Sequence, residues 1–190
     1  MDKAKKIADC NVSFFKNRVS KETPLVGIEP SAILTFRDEY LSLANDKEAA
    51  KAIANSTYTI EEFIKLEFDK KNIVSERFTS DIKTLKIHGH CYQKSLSNME
   101  STFKMLSIPK NFKVTVLNSG CCGMAGSFGY EKEHYHLSMQ VGEDTLFPKI
   151  RNTEKTIDII APGTSCRHQI KDGTQRKAKH PITILKEALI

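Results

Sequence analysis

Three stretches in the second half of this 190-residue chain share one layout: a short apolar run, a turn that carries cysteine, and a helical segment. Thr84–Ile87 leads into His88-Gly89-His90-Cys91 and a helix predicted through Leu106. Lys113–Leu117 leads into Asn118-Ser119-Gly120-Cys121-Cys122-Gly123 and a helix predicted over 131–147. Thr156–Ile160 leads into Ala161-Pro162-Gly163-Thr164-Ser165-Cys166, and a last helix opens at His180 with Pro181 in its first turn. Strands alternating with helices predict an α/β fold with parallel sheet layers flanked by helices. Such sheets bind ligands at the carboxyl ends of their strands, so the three turns should converge on one sheet edge.

The first half carries the same grammar more faintly. Helices are predicted over 4–19, 32–43, 47–54 and 59–68, the last opened by a Thr59/Glu62 capping box. Pro24–Ile28 reads as a buried strand, and Lys71–Ser80 as a polar connector. Val26-Gly27-Ile28-Glu29-Pro30-Ser31-Ala32 matches Ile160–Cys166 in layout, with Ala32 opposite Cys166. The expected organisation is therefore a duplicated half-domain: a partial first lobe over 1–80 and a complete second lobe over 81–190.

The five cysteines are Cys10, Cys91, Cys121, Cys122 and Cys166. An odd number argues against a disulfide framework, and adjacent cysteines bridge each other only under strain. Glycines beside the cysteines of the turns let the backbone close around an inorganic core, and their amides favour thiolate charge. Four thiolates from three turns satisfy a tetrahedral zinc ion or a four-iron cluster. Cys91, Cys121, Cys122 and Cys166 are the expected ligands. His88, His90 and His168 flank them as second-layer donors, with His88 or His90 alternatively a ligand or a plain turn residue. Cys10 reads as a core or incidental surface thiol, His134 and His136 as a solvated helix face, and Arg167, Lys94 and Tyr130 as weak candidates to hold an anion. Thiol catalysis by Cys122 or Cys166 is a weaker alternative, since no oxyanion site is legible.

Other classes fit less well. Net charge is +6, but the densest basic patch, Lys171–Lys179, lacks interleaved aromatics, so no nucleic-acid partner is expected. No apolar run reaches the roughly 20 residues of a membrane span, and the opening residues lack the apolar stretch of a secretory signal. The expected location is cytoplasmic, with any inner-membrane association peripheral and through partners.

Cys91, 29 residues, Cys121-Cys122-Gly123, 42 residues and Cys166 form a spacing unlike zinc fingers or ferredoxins. It resembles the cysteine-rich CCG domain family, found in heterodisulfide reductase subunits and in the iron–sulfur parts of glycolate and lactate oxidases. His88–Lys94, Gly120–Glu131 and Gly163–Ile170 look like the C-terminal iron–sulfur region of FAD-linked D-2-hydroxyacid dehydrogenases. Gly27–Ser31 and Arg37–Tyr40 extend the likeness over most of the chain. The resemblance implies an electron-transfer module that takes electrons from FAD on a partner or fused dehydrogenase and passes them to a quinone or soluble carrier, with no catalysis by this chain alone. The alternative is a structural or assembly domain in which the same cysteines hold zinc or nothing. Departures are specific: the family's earlier Cys-Cys-Gly would precede Met1, Ala32 stands in place of a cysteine, and Gly163 opens what is elsewhere a Cys-x-x-Cys pair.

Overall fold

The computed structural model describes residues 1–190. The chain is α/β, with parallel strands in two sheets flanked by helices. Helix α1 (Asp2–Phe15) buries Ala8 and Val12. Strand β1 (Leu25–Gly27) leads into α2 (Pro30–Ile33), where Pro30 occupies the first turn. A 3₁₀ turn, Leu34–Arg37, then separates α2 from α3 (Glu39–Leu43). The single helix expected over 32–43 is broken at Asp38, whose φ of −132° and ψ of −85° lie outside the helical region. Arg37 is turned away there, with Nη1 donating to both Glu62 oxygens and Nη2 to the Leu96 carbonyl. Helix α4 (Lys47–Ala54) precedes β2 (Thr57–Thr59), a strand the polar sequence hid, and α5 (Ile60–Asp69) carries the expected capping box.

Strands β1 and β2 pair in parallel as one small sheet. Val12, Ala44, Ala50 and Ile53 form a small core under this N-terminal region.

The larger sheet is all parallel in the order β4-β3-β5-β6. It comprises β3 (Lys83–Ile87), β4 (Phe112–Val116), β5 (Asp158–Ile160) and β6 (Ala178–Lys179). Helices α6 (Cys91–Leu96) and α7 (Glu100–Leu106) replace the one expected helix, since Ser97 adopts an extended backbone and its hydroxyl donates to Glu62. Helix α8 (Tyr135–Arg151) and α9 (Thr164–Thr174) pack on one face, and α7 with α10 (Pro181–Glu187) on the other. Leu85, Ile87, Met105, Leu106 and Ile184 fill one core; Leu146, Phe147, Ile159, Cys166 and Ile170 fill the second. Phe147 seats its ring between Gly142 and Gly173, where an added Cβ would lie 2.3 and 2.2 Å from ring carbons.

The ladder continues past the strands into the cysteine-bearing turns. The His88 amide donates to Ile160 O, Leu117 to Ile87 O and Ala161 to Lys179 O, all at 2.8–3.0 Å. The carboxyl ends of β3, β4 and β5 are thereby held side by side.

Candidate metal centre

The three turns meet at one cleft of about 610 Å³, lined by Cys91, Cys121, Cys122 and Cys166 and closed on the other side by Glu29, Ser31 and Glu39. All cysteines are free thiols. Cys122 and Cys166 are buried, Cys121 is half-buried, and Cys91 stands exposed at the mouth. A ring nitrogen of His88 and the sulfurs of Cys122 and Cys166 all lie within 4.8 Å of one another. Donors about 2.1–2.3 Å from one tetrahedral ion stand about 3.7 Å apart, so this spacing needs only a small contraction around a metal.

The electrostatics alternate along the row. Hydrogen bonding from Cys122 and then Cys91 holds Cys121 well below the usual thiol range against the opposing effect of burial, helped by the Gly123 amide. Cys122 is pushed up by donating to Cys121 and Cys166, and Cys91 by donating to Cys121. Cys166 is lowered by its contact with Cys122 and, against burial, by His88. Proton loss is thus favoured at Cys121 and Cys166, and metal ligation requires deprotonated sulfur.

The turn that carries the adjacent pair is built from left-handed backbone. Gly123 has φ +93° and Gly126 φ +70°, and Ala125 sits at φ +43° between them. A Cβ on Gly123 would strike the Ser138 carbonyl oxygen at 2.0 Å. The Gly123 amide donates to Cys121 Sγ at 3.3 Å. Ser138 Oγ donates to Gly123 O at 2.9 Å, and Gln169 Nε2 donates to Ser138 Oγ at 2.8 Å, both bonds buried. This network ties the turn to α8 and α9.

Each flanking histidine has a distinct place. His88 is fully buried at the end of β3, with Nδ1 2.7 Å from Ser119 Oγ and Nε2 without a partner. His90 caps α6, where Nδ1 accepts from the Tyr92 amide at 3.2 Å. Its ring covers Gly163, where a Cβ would lie 2.4 Å from His90 Cδ2. His168 lies on α9, its Nδ1 2.7 Å from the Tyr130 hydroxyl at the cleft rim.

Other residues singled out in the sequence serve the scaffold. Lys94 Nζ donates to Ser119 O at 3.0 Å, and Arg167 donates to Ala161 O and Pro162 O, so both brace the cysteine-bearing turns. Cys10 is exposed on α1. His134 pairs with Glu131 at 2.7 Å on the surface. Sequence reasoning missed Ser119 and Ser138, ordinary polar residues that no motif singles out, while Gln169 and Glu39 were marked only as parts of the resembling stretches Gly163–Ile170 and Arg37–Tyr40. Glu29 was marked only by resemblance; its carboxylate crosses the cleft to accept from the Thr164 amide at 2.9 Å and hydroxyl at 2.8 Å.

A cleft lined by soft donors at the edge of a parallel sheet suits many chemistries, and comparison with known proteins narrows them. The chain is 28% identical over 193 residues to one subunit of the anaerobic glycerol-3-phosphate dehydrogenase of Escherichia coli K12, covering 99% of this chain and 46% of that protein. The relatives it matches are a dehydrogenase subunit and dehydrogenases. It is also 30% identical over 194 residues to a D-2-hydroxyglutarate dehydrogenase of Haemophilus influenzae and 26% identical over 186 residues to that of Pseudomonas putida. Those alignments cover 94% and 95% of this chain but 18% and 16% of the relatives. The chain thus spans less than half the length of the curated relatives it matches. No family model matches it, and no solved structure does. No helix is long and apolar enough to cross a membrane.

Proposed function

We propose that this chain is a CCG-type iron–sulfur electron-transfer module, acting with an FAD-linked dehydrogenase of 2-hydroxyacids of the glycolate or lactate type. The observation that carries the reading is the meeting of Cys91, Cys121, Cys122 and Cys166 at the carboxyl ends of three adjacent parallel strands. The relatives, dehydrogenase components matched over nearly the whole of this chain, support it.

In this reading the four cysteines hold a four-iron cluster, and the cluster when bound supplies one-electron chemistry. The protein does the rest. The Gly123 amide and the burial of Cys122 and Cys166 fix the thiolate field that sets a potential. Exposure of Cys91 leaves one side of the centre near the surface, where a partner's flavin or a quinone or soluble carrier can approach. The second lobe, 81–190, contributes every sulfur, and the first, 1–80, contributes the facing wall with Glu29, Ser31 and Glu39. The module works in the cytoplasm.

The tight grouping of His88, Cys122 and Cys166 favours a second reading, a single zinc ion with a structural role. One experiment separates the two: anaerobic elemental analysis of iron, sulfide and zinc, with the visible spectrum. Brown protein with iron and sulfide in equal amount is expected. Colourless protein with stoichiometric zinc overturns the electron-transfer reading.

A further inference from the structure

Resting on that reading of the centre but changing one of its four ligands, we propose that His88, in place of the exposed Cys91, binds the metal directly through Nε2 beside Cys121, Cys122 and Cys166, rather than merely backing the sulfurs. His88 has no exposed surface, and its Nε2 is a buried polar atom with no partner. An orphan of this kind is costly, so a native fold keeps one where something else satisfies it. The ring reaches to within 4.8 Å of the sulfurs of Cys122 and Cys166, and Nε2 has no oxygen or nitrogen partner. With Nδ1 engaged elsewhere, Nε2 is the ring atom left for the two soft donors.

The opposite side of the ring is anchored as a ligating imidazole requires. Nδ1 lies 2.7 Å from Ser119 Oγ, which is itself buried. With Nδ1–H donated to that oxygen, the lone pair sits on Nε2 and is available to a metal. The backbone is equally fixed, since the His88 amide is part of the ladder to Ile160 O at 2.8 Å. Lys94 clamps the Ser119 carbonyl at 3.0 Å and so holds the loop that presents the hydroxyl. Neither ring position nor tautomer has to be created when metal arrives.

The two other histidines near the centre are spoken for. His90 spends Nδ1 on the Tyr92 amide and lays its ring on Gly163, and His168 spends Nδ1 on Tyr130. Only His88 combines full burial, a vacant ring nitrogen and two cysteine sulfurs at hand.

The test uses the 190-residue chain loaded anaerobically with ferrous iron and sulfide, with its histidines carrying ¹⁵N, and then reduced. Pulsed electron paramagnetic resonance should show a strong ¹⁵N coupling. That coupling should vanish in His88→Cys, a variant that keeps a donor in place, while iron and sulfide content per chain stays the same. The midpoint potential should fall in His88→Cys, because thiolate replaces neutral imidazole at the cluster. Iron and sulfide present without nitrogen coupling, or coupling that survives in His88→Cys, overturns ligation by His88 and leaves the electron-transfer reading standing. A chain that takes up zinc in place of iron is compared as its cobalt(II) form, where visible bands unchanged by His88→Cys overturn the ligation. A chain that takes up no metal overturns both.

Discussion

The carboxylate of Glu29 accepts two hydrogen bonds from Thr164, a residue 135 positions later that opens the helix bearing Cys166. Burial pushes the Glu29 carboxyl up, but the Thr164 amide and hydroxyl and the Ser31 hydroxyl outweigh it and hold the group below the usual carboxylate range. A lowered folded value means stability that is present above about pH 4.5 and is lost as pH falls through the lowered value. Glu29→Gln should cost about 1–2 kcal/mol at pH 7, at the modest end because the group is partly exposed. The cost should shrink in acid, measured by urea denaturation at both pH values. An equal cost in acid would show that charge is not the source.

Glu61 gives the opposite pH dependence. It is fully buried, both carboxyl oxygens lack partners, and burial raises it to about 7. The nearest cationic candidate, His180 Nε2 at 3.9 Å, is pushed down by burial and donates instead to Ile28 O at 2.8 Å. The folded chain therefore binds a proton at Glu61 that the unfolded chain has released. Stability should fall on the order of 3 kcal/mol as pH rises from 4.5 through 7. In Glu61→Gln this part of the slope should disappear, and the variant should be the more stable protein at pH 8. Denaturant midpoints across that range decide the matter, and parallel slopes for both proteins would contradict it.

Arg37 joins the 3₁₀ turn to α5 and α6. Its Nη1 donates to both Glu62 oxygens at 2.9 Å, and its Nη2 donates to Leu96 O at 2.8 Å. Both ion-pair partners are mostly buried, so Arg37→Ala strands the Glu62 carboxylate and should destabilise the fold by about 2–4 kcal/mol. Arg37→Lys should recover less than half of that, because one ammonium cannot serve Glu62 and Leu96 O together as the two guanidinium nitrogens do. Calorimetry of the two variants against the parent measures both effects.

Gly123→Ala tests the cysteine turn. With φ at +93° and the Ser138 carbonyl oxygen in the way, the methyl group has no place without moving Cys122 or α8. A loss of at least about 2 kcal/mol is expected. Metal content should drop with it even though all four sulfurs remain. Full metal retention would mean that the turn yields more easily than this packing implies.

The chemistry-bearing turns were legible in the sequence because cysteine and glycine stand out, and strand–turn–helix order places them at one sheet edge. The Thr59/Glu62 capping box was legible for the same local reason and is present. The breaks were not. The helices expected over 32–43 and from Cys91 to Leu106 have sound apolar periodicity, yet both yield near Glu62, which draws in Arg37 and Ser97 from separate segments. That demand is tertiary and leaves no trace in spacing. Strands β2 and β6 are short and polar, and exist because a neighbouring edge was free to pair. His88 was visible beside its cysteine, but only the fold shows which ring nitrogen is committed and which is vacant.

The cleft is walled by both halves of the chain, with every sulfur on one side and Glu29, Ser31 and Glu39 on the other. Cutting the chain near residue 80 would therefore leave a fragment that still counts four cysteines yet has lost its windshield. Dioxygen and water would reach the inner pair, Cys122 and Cys166, that the intact fold keeps dry. Protection of these thiols from oxidation is thus a property of how the two halves close on one another, and it can fail without any cysteine being touched.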